Sequence, residues 1–253
     1  MTETRSTSGN LPRNAAEAVE QVVIASRVVA SLGEDLTLGH VSVRHADDER
    51  IFIKRKGVSG SELTTADVLE VRLADPDALR VKGMHLEAVI HTEIYRSRPD
   101  VGSVIHIHPP YATALSATRG KLEFLTHDSV LFKDGVGAYE GSAELVTDQA
   151  MGQAVAESLG GRRATLLNNH GAVFAGEDIR WSVLAAVTLE RALQLQVIAS
   201  GLGELDPLPQ EEVDAIYPLK YQDKFLSEYW DWWSRKYADG GTAGAAHSGE
   251  GPN

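Results

Sequence analysis

Val104-Ile105-His106-Ile107-His108-Pro109-Pro110 places two histidines one residue apart in an apolar, β-branched run. In a strand, residues i and i+2 project from the same face, so His106 and His108 can chelate one divalent ion at about 2.0 to 2.1 Å per imidazole. Pro-Pro ends the strand at that point, and the carboxyl ends of strands are where open α/β sheets form ligand sites. Imidazole is an unusual filler for such a strand, which weighs against two unrelated polar residues. His170 sits in Asn168-Asn169-His170-Gly171, a tight turn whose glycine permits an unusual backbone angle. Alone, that composition is common in turns. Beside His106 and His108 it supplies a third ligand, and catalytic zinc sites pair three protein ligands with one open position. The chain has no cysteine, so a metal must sit on imidazole, carboxylate or water; zinc is the first expectation, with manganese, iron or cobalt as alternatives. Glu87 and His91 share a helix face at i, i+4, beside a stripe of Leu86, Ile90 and Ile94 expected to pack on a sheet. That carboxylate is a candidate fourth ligand or acid/base; an exposed surface pair is the competing reading.

Positioning these groups requires alternating strands and helices. Apolar spacing predicts helices over 15–31, 86–96, 111–118, 147–159, 178–200 and 221–237. Period-two or continuous apolar runs predict strands over 40–45, 50–54, 68–73, 102–108, 164–167 and 172–175. Segment 124–131 is ambiguous, and the stretch through Gly135, Gly137 and Gly141 reads as a flexible loop. Residues 1–13 are expected to be a disordered lead, 14–237 a single domain and 238–253 a disordered Gly-rich tail. Interleaving without a strict βαβ period indicates an α/β fold, three layers α/β/α around a mixed, mainly antiparallel sheet.

The 253 residues suffice for one large core. A net charge of −12 repels polyanions, and the one basic run, Lys54-Arg55-Lys56, is short, so nucleic acid is not an expected partner. No stretch approaches the roughly 18–20 uninterrupted apolar residues of a membrane span, and the polar start lacks the apolar core of a secretory signal. Cytoplasm is therefore the default expectation.

Gly39-His40-Val41-Ser42-Val43-Arg44, the Glu87-x-x-x-His91 helix, the His106-x-His108 strand and Asn169-His170-Gly171 together resemble the class II aldolase/adducin family in order and spacing, from about residue 15 to 199. The resemblance implies a divalent ion on His106, His108 and His170, Glu87 as catalytic acid/base, and sites lying between subunits of a homotetramer. It also places His127 about where the aldolases carry a tyrosine proton donor. Three departures bear on substrate. Sugar-phosphate members carry Asn where this chain has His40, a Ser/Thr-Gly phosphate loop where it has Arg55-Lys56-Gly57, and two small hydroxyl residues where it has His85-Leu86. A phosphate dianion wants a nest of N–H groups and small hydroxyls, whereas a planar carboxylate needs one or two directed donors. His40, Arg55, Lys56, Gly57, His85 and His91 are accordingly expected around a small carboxylic acid. The chain is thus closer to the aromatic-acid decarboxylase-like members, and decarboxylation of a non-phosphorylated hydroxylated aromatic or oxo acid is the leading expectation. Aldol cleavage of a hydroxy-oxo acid or sugar phosphate, epimerisation, an Fe(II)-dependent oxygenase and a non-catalytic adducin-like binding module are the alternatives.

Overall fold

The computed structural model describes residues 10–33, 37–47 and 49–238. The chain starts its first helix, α1 (Ala15–Ala30), at Asn14, whose side-chain oxygen accepts the Glu17 amide at 2.9 Å, which satisfies one of the orphan donors of the first turn. Three strands follow: β1 (His40–Arg44), β2 (Arg50–Lys54) and β3 (Val68–Arg72). Then come α2 (Ala88–Ser97), β4 (Ser103–Ile107), α3 (Pro110–Ser116), β5 (Gly137–Tyr139), α4 (Gln149–Leu159), β6 (Ala164–Leu167), β7 (Gly171–Gly176), α5 (Ile179–Leu202), α6 (Gln210–Lys220) and α7 (Asp223–Tyr237).

The seven strands form one sheet in the order β3-β2-β1-β4-β7-β6-β5, with every neighbouring pair antiparallel except β5 and β6. This is the mixed, mainly antiparallel sheet expected. Side chains alternate between two cores. Val41, Val43, Phe52, Ile105, Ile107 and Phe174 pack with α1, α5 and α7. Ile51, Ile53, Val71, Val104, Val173 and Ala175 pack with α2 and α4 on the opposite face. Burial on both faces explains why β4 reads as a nearly continuous apolar run.

α5 is long and apolar enough to cross a bilayer by length and composition, yet 56% of its apolar window is buried inside the protein. It is a core helix, with Val183, Ala186 and Leu189 fully buried.

Several elements differ from the sequence expectation. The Gly-rich stretch contains β5: a Cβ at Gly137 would come within 2.2 Å of the Ser158 carbonyl, so this glycine serves close packing of α4 on the sheet rather than flexibility. α6 has no counterpart among the predicted helices, because Val213 is its one buried residue and Pro218 lies inside it, leaving little apolar period to read. Segment 124–131 is irregular through Asp128 and ends inside a 3-10 turn at Ser129–Phe132. α2 begins at Ala88, so Glu87 is its N-cap residue. Leu86 then falls off the helix and is 65% exposed, whereas Ile90 and Ile94 are fully buried; the expected stripe begins at Ile90. Of the expected lead, residues 1–9 lie outside the described residues, but Leu11 is buried and the Pro12 carbonyl accepts the Ala46 amide. The expected tail beyond Ala238 also lies outside the described residues.

Candidate metal centre

Three neighbouring segments deliver the histidines. His106 lies in β4 with its side chain on the α2 face, fully buried. His108 follows the end of β4, held by the Pro109-Pro110 turn that starts α3. That turn is anchored from α5, where the Glu190 carboxylate accepts the amides of Tyr111 and Ala112 at 2.9 and 3.0 Å. His170 sits in the turn joining β6 to β7. The positive φ there belongs to Asn169, at 53°, and not to Gly171 as the sequence suggested. Gly171 is required for another reason: its Cβ would meet both the Ile107 carbonyl and the His108 ring at 2.7 Å. A side chain at 171 would push the β6–β7 turn off β4 and separate His170 from His108.

The three rings lie 4.8 to 5.0 Å apart between centroids, and one nitrogen from each falls within 4.8 Å of the others. Glu87 completes the cluster from the start of α2. One carboxylate oxygen accepts the Val146 amide at 3.0 Å; the other lies 3.6 Å from Nε2 of both His106 and His170.

These donors fit a divalent cation. His106 Nδ1 donates to the Ala172 carbonyl at 3.1 Å, which leaves the Nε2 lone pair facing the cluster. That Nε2 is buried and has no hydrogen-bond partner among the described residues, a costly state for a polar atom unless a ligand occupies it. A ring fixed through its second nitrogen is the usual support of a metal-bound histidine. Burial, reinforced by the nearby His106, brings His108 down to about 3 and lowers His170, so both present neutral imidazoles. Burial works to raise Glu87, but the neighbouring His106 ring, the Val146 amide and the His170 ring outweigh it and bring the carboxyl to about 2. Glu87 is therefore ionised.

A second layer of imidazoles backs this centre. His40 pairs across the sheet with His106, and its ring lies 4.3 Å from that of His85 and 4.8 Å from that of His91. Burial, with smaller repulsion from neighbouring cations and imidazoles, holds His40 and His91 well below their ordinary value. Burial and the Lys54 ammonium bring His85 to about 3.

The structure thus brings together Glu87, His106, His108, His170, His40, His85 and His91. It does not bring the others in. Arg55 is half-exposed and faces Asp67 at 3.8 Å, and Lys56 and Gly57 are exposed. His127 is exposed beside a groove formed with Ile216, Leu219, Lys220, Tyr221, Phe225 and Tyr229, apart from the cluster within this chain. Lys54, by contrast, is not among the site residues expected from the sequence, where it counts only as the end of a strand and the start of a short basic run. It is 1% exposed, donates to the Thr37 carbonyl at 3.1 Å and sends its charge toward His40 and His85. The signal lay in the apolar run of β2: Ile51, Phe52 and Ile53 bury both faces of the strand, and Lys54 continues it on the Phe52 face.

This three-layer α/β domain gathers three imidazoles and a carboxylate, a donor set that could hold a metal ion, at the end of its central strand. The class II aldolase and adducin N-terminal domain matches residues 20–197, and the chain belongs to that family. A 4-hydroxy-3-prenylphenylpyruvate oxygenase/4-hydroxy-3-prenylbenzoate synthase of Streptomyces roseochromogenus is 35% identical over 147 residues, covering 53% of each chain. This chain therefore spans about half the length of that relative. A 3,4-dihydroxyphthalate decarboxylase of Arthrobacter keyseri is 28% identical over 224 residues, covering 82% of this chain and 89% of its own. Among solved structures, L-fuculose 1-phosphate aldolase from Glaciozyma antarctica matches with a TM-score of 0.75 at 22% identity, over 95% of this chain and 96% of its own, a likeness of fold.

Proposed function

We propose that this protein is a metal-dependent carbon–carbon lyase that decarboxylates a non-phosphorylated hydroxylated aromatic or oxo carboxylic acid. The observation that carries the reading is the convergence of His106, His108 and His170 with the ionised Glu87, backed by His40 and His85 where phosphate-handling relatives carry small polar residues. When bound, a divalent cation, zinc in the first instance, would supply stabilisation of the negative charge that develops on substrate oxygens. His40 and His85 face the same space and suit a planar carboxylate better than a phosphate dianion. Glu87, being ionised, first takes a proton from a substrate hydroxyl. The bond to the carboxylate carbon then breaks, its electron pair stays on the substrate carbon, carbon dioxide leaves, and that carbon takes up a proton from Glu87.

The match to the dihydroxyphthalate decarboxylase over most of both chains favours loss of carbon dioxide over aldol cleavage. An Fe(II)-dependent oxygenase is the second reading, favoured by the name of the prenyl-acid relative. The deciding experiment is elemental analysis of the purified protein, followed by a screen of hydroxybenzoates and oxo acids for carbon dioxide release with and without oxygen. Turnover that requires ferrous iron and dioxygen selects the oxygenase. Efficient cleavage of a sugar phosphate with no turnover of any aromatic or oxo acid defeats the proposal. A homotetramer with sites completed between subunits belongs to the same proposal, and His127 could act on this centre only if a second copy brought it there.

A further inference from the structure

A hydrogen-bonded chain runs from His40 away from the metal centre into the core. His40 Nδ1 lies 2.6 Å from His91 Nε2, His91 Nδ1 lies 2.6 Å from Ser42 Oγ, and Ser42 Oγ lies 2.8 Å from the Tyr95 hydroxyl. All four residues are at most 2% exposed. With one proton per buried ring, each imidazole has one donor and one acceptor nitrogen, so the chain runs in one of two directions. Ser42 Oγ also lies 3.5 Å from the Val104 carbonyl, well beyond the roughly 2.5–3.0 Å of a good O–H···O bond, so a Ser42 hydroxyl turned that way would give up a far shorter bond. In the first, the phenol donates to Ser42, Ser42 to His91 Nδ1, and His91 Nε2–H to His40 Nδ1, leaving the His40 proton on Nε2. In the second, every bond is reversed and the phenol accepts from Ser42. Its own proton then finds no acceptor among the described residues but Ser42, which could receive it only by turning its hydroxyl to the Val104 carbonyl 3.5 Å away. A buried donor without an acceptor is strongly disfavoured, so the first arrangement prevails.

We infer that Tyr95, Ser42 and His91 are positioning residues that fix His40 as an Nε2–H donor facing the metal centre, where it holds an anionic oxygen of the substrate. The inference separates two overlapping ligand sets, since His40, Glu87 and His106 also bring donor atoms within 4.8 Å of one another. A ring nitrogen that carries a proton cannot bind a cation, which leaves the ion to His106, His108 and His170. The identity of the oxygen held rests on the proposed lyase reading; the position of the proton does not.

Long-range nitrogen–proton NMR of the zinc-loaded protein, with 15N-labelled histidine, reads the tautomer directly. The expected spectrum has a protonated Nε2 and a bare Nδ1 on His40, and Tyr95→Phe admits the reverse tautomer by removing the terminal donor. Zinc analysis should find the ion retained in His40→Ala and lost in His108→Ala. Binding of 2-hydroxybenzoate, a carboxylate probe, should weaken about tenfold in His40→Ala, the loss of one charge-assisted hydrogen bond. A proton on Nδ1 of His40 in the unsubstituted protein, or zinc lost from His40→Ala, overturns the inference; the first holds even if the variants misfold. The expected tautomer in a protein that turns over no aromatic or oxo acid counts against the lyase reading and leaves the donor assignment standing.

Discussion

Glu87 is held by the Val146 amide, which leaves its other carboxylate oxygen 3.6 Å from Nε2 of both His106 and His170. Glu87→Gln keeps a carbonyl oxygen for the Val146 amide but cannot take a proton. The expected result is a fall in kcat of about 10²- to 10⁴-fold, the usual contribution of a general acid/base, with bound metal unchanged by elemental analysis. His106→Ala and His108→Ala should instead lose the metal while circular dichroism stays that of a folded chain; stoichiometric metal in the double variant would remove the assignment. At this scale the sequence was informative where residue type was out of place. Histidines in an apolar strand are conspicuous, and His106, His108 and His170 do converge. Lys54 and the pairing of His91 with His40 and Ser42 were hidden, because a charged or polar side chain reads as exposed until its neighbours across the sheet are known.

The elements that carry the centre pack with little tolerance. Gly171→Ala would place a methyl group 2.7 Å from the Ile107 carbonyl and the His108 ring. Overpacking of this kind destabilises by about 1–3 kcal/mol, and chemical denaturation should show that loss together with weaker metal retention under chelator competition. The same packing sets a pH dependence. His40 and His91 titrate well below 6.5 in the folded protein, and His85 and His108 near 3. Between 6.5 and those values the unfolded chain binds more protons, so stability falls as the pH drops through that window. Glu87, held near 2 against 4.5 unfolded, adds its loss only below about 4.5. Metal-free protein should therefore weaken already between pH 6.5 and 5.5, by up to about 1.4 kcal/mol per pH unit for each such histidine. A denaturation midpoint flat across that range would contradict the burial of these rings. β5 and α6 were illegible for opposite reasons, one being three residues amid glycines and the other burying almost nothing.

At the scale of the molecule, apolar side chains stay exposed on each of the three C-terminal helices. Trp233 is buried, but Tyr229 and Trp232 remain 48% exposed, and Leu202 and Leu219 are 85% and 71% exposed. Surface of this kind on neighbouring elements suits association. Light scattering at micromolar concentration should find an oligomer, and Tyr229→Ser with Trp232→Ser should shift it to a smaller species; a monomer in the unsubstituted protein defeats the tetramer. The sheet order carries a consequence for how the chain is made. β4 stands at the centre, and its neighbours β1 and β7 pair with it from some sixty to seventy residues away on either side. Neither edge of β4 can be satisfied by a local hairpin, so a growing or truncated chain that stops before residue 171 presents Val104-Ile105-His106-Ile107 as an open, apolar strand edge. Fragments of the amino-terminal half should therefore aggregate, and soluble recovery should rise abruptly once the chain extends through β7.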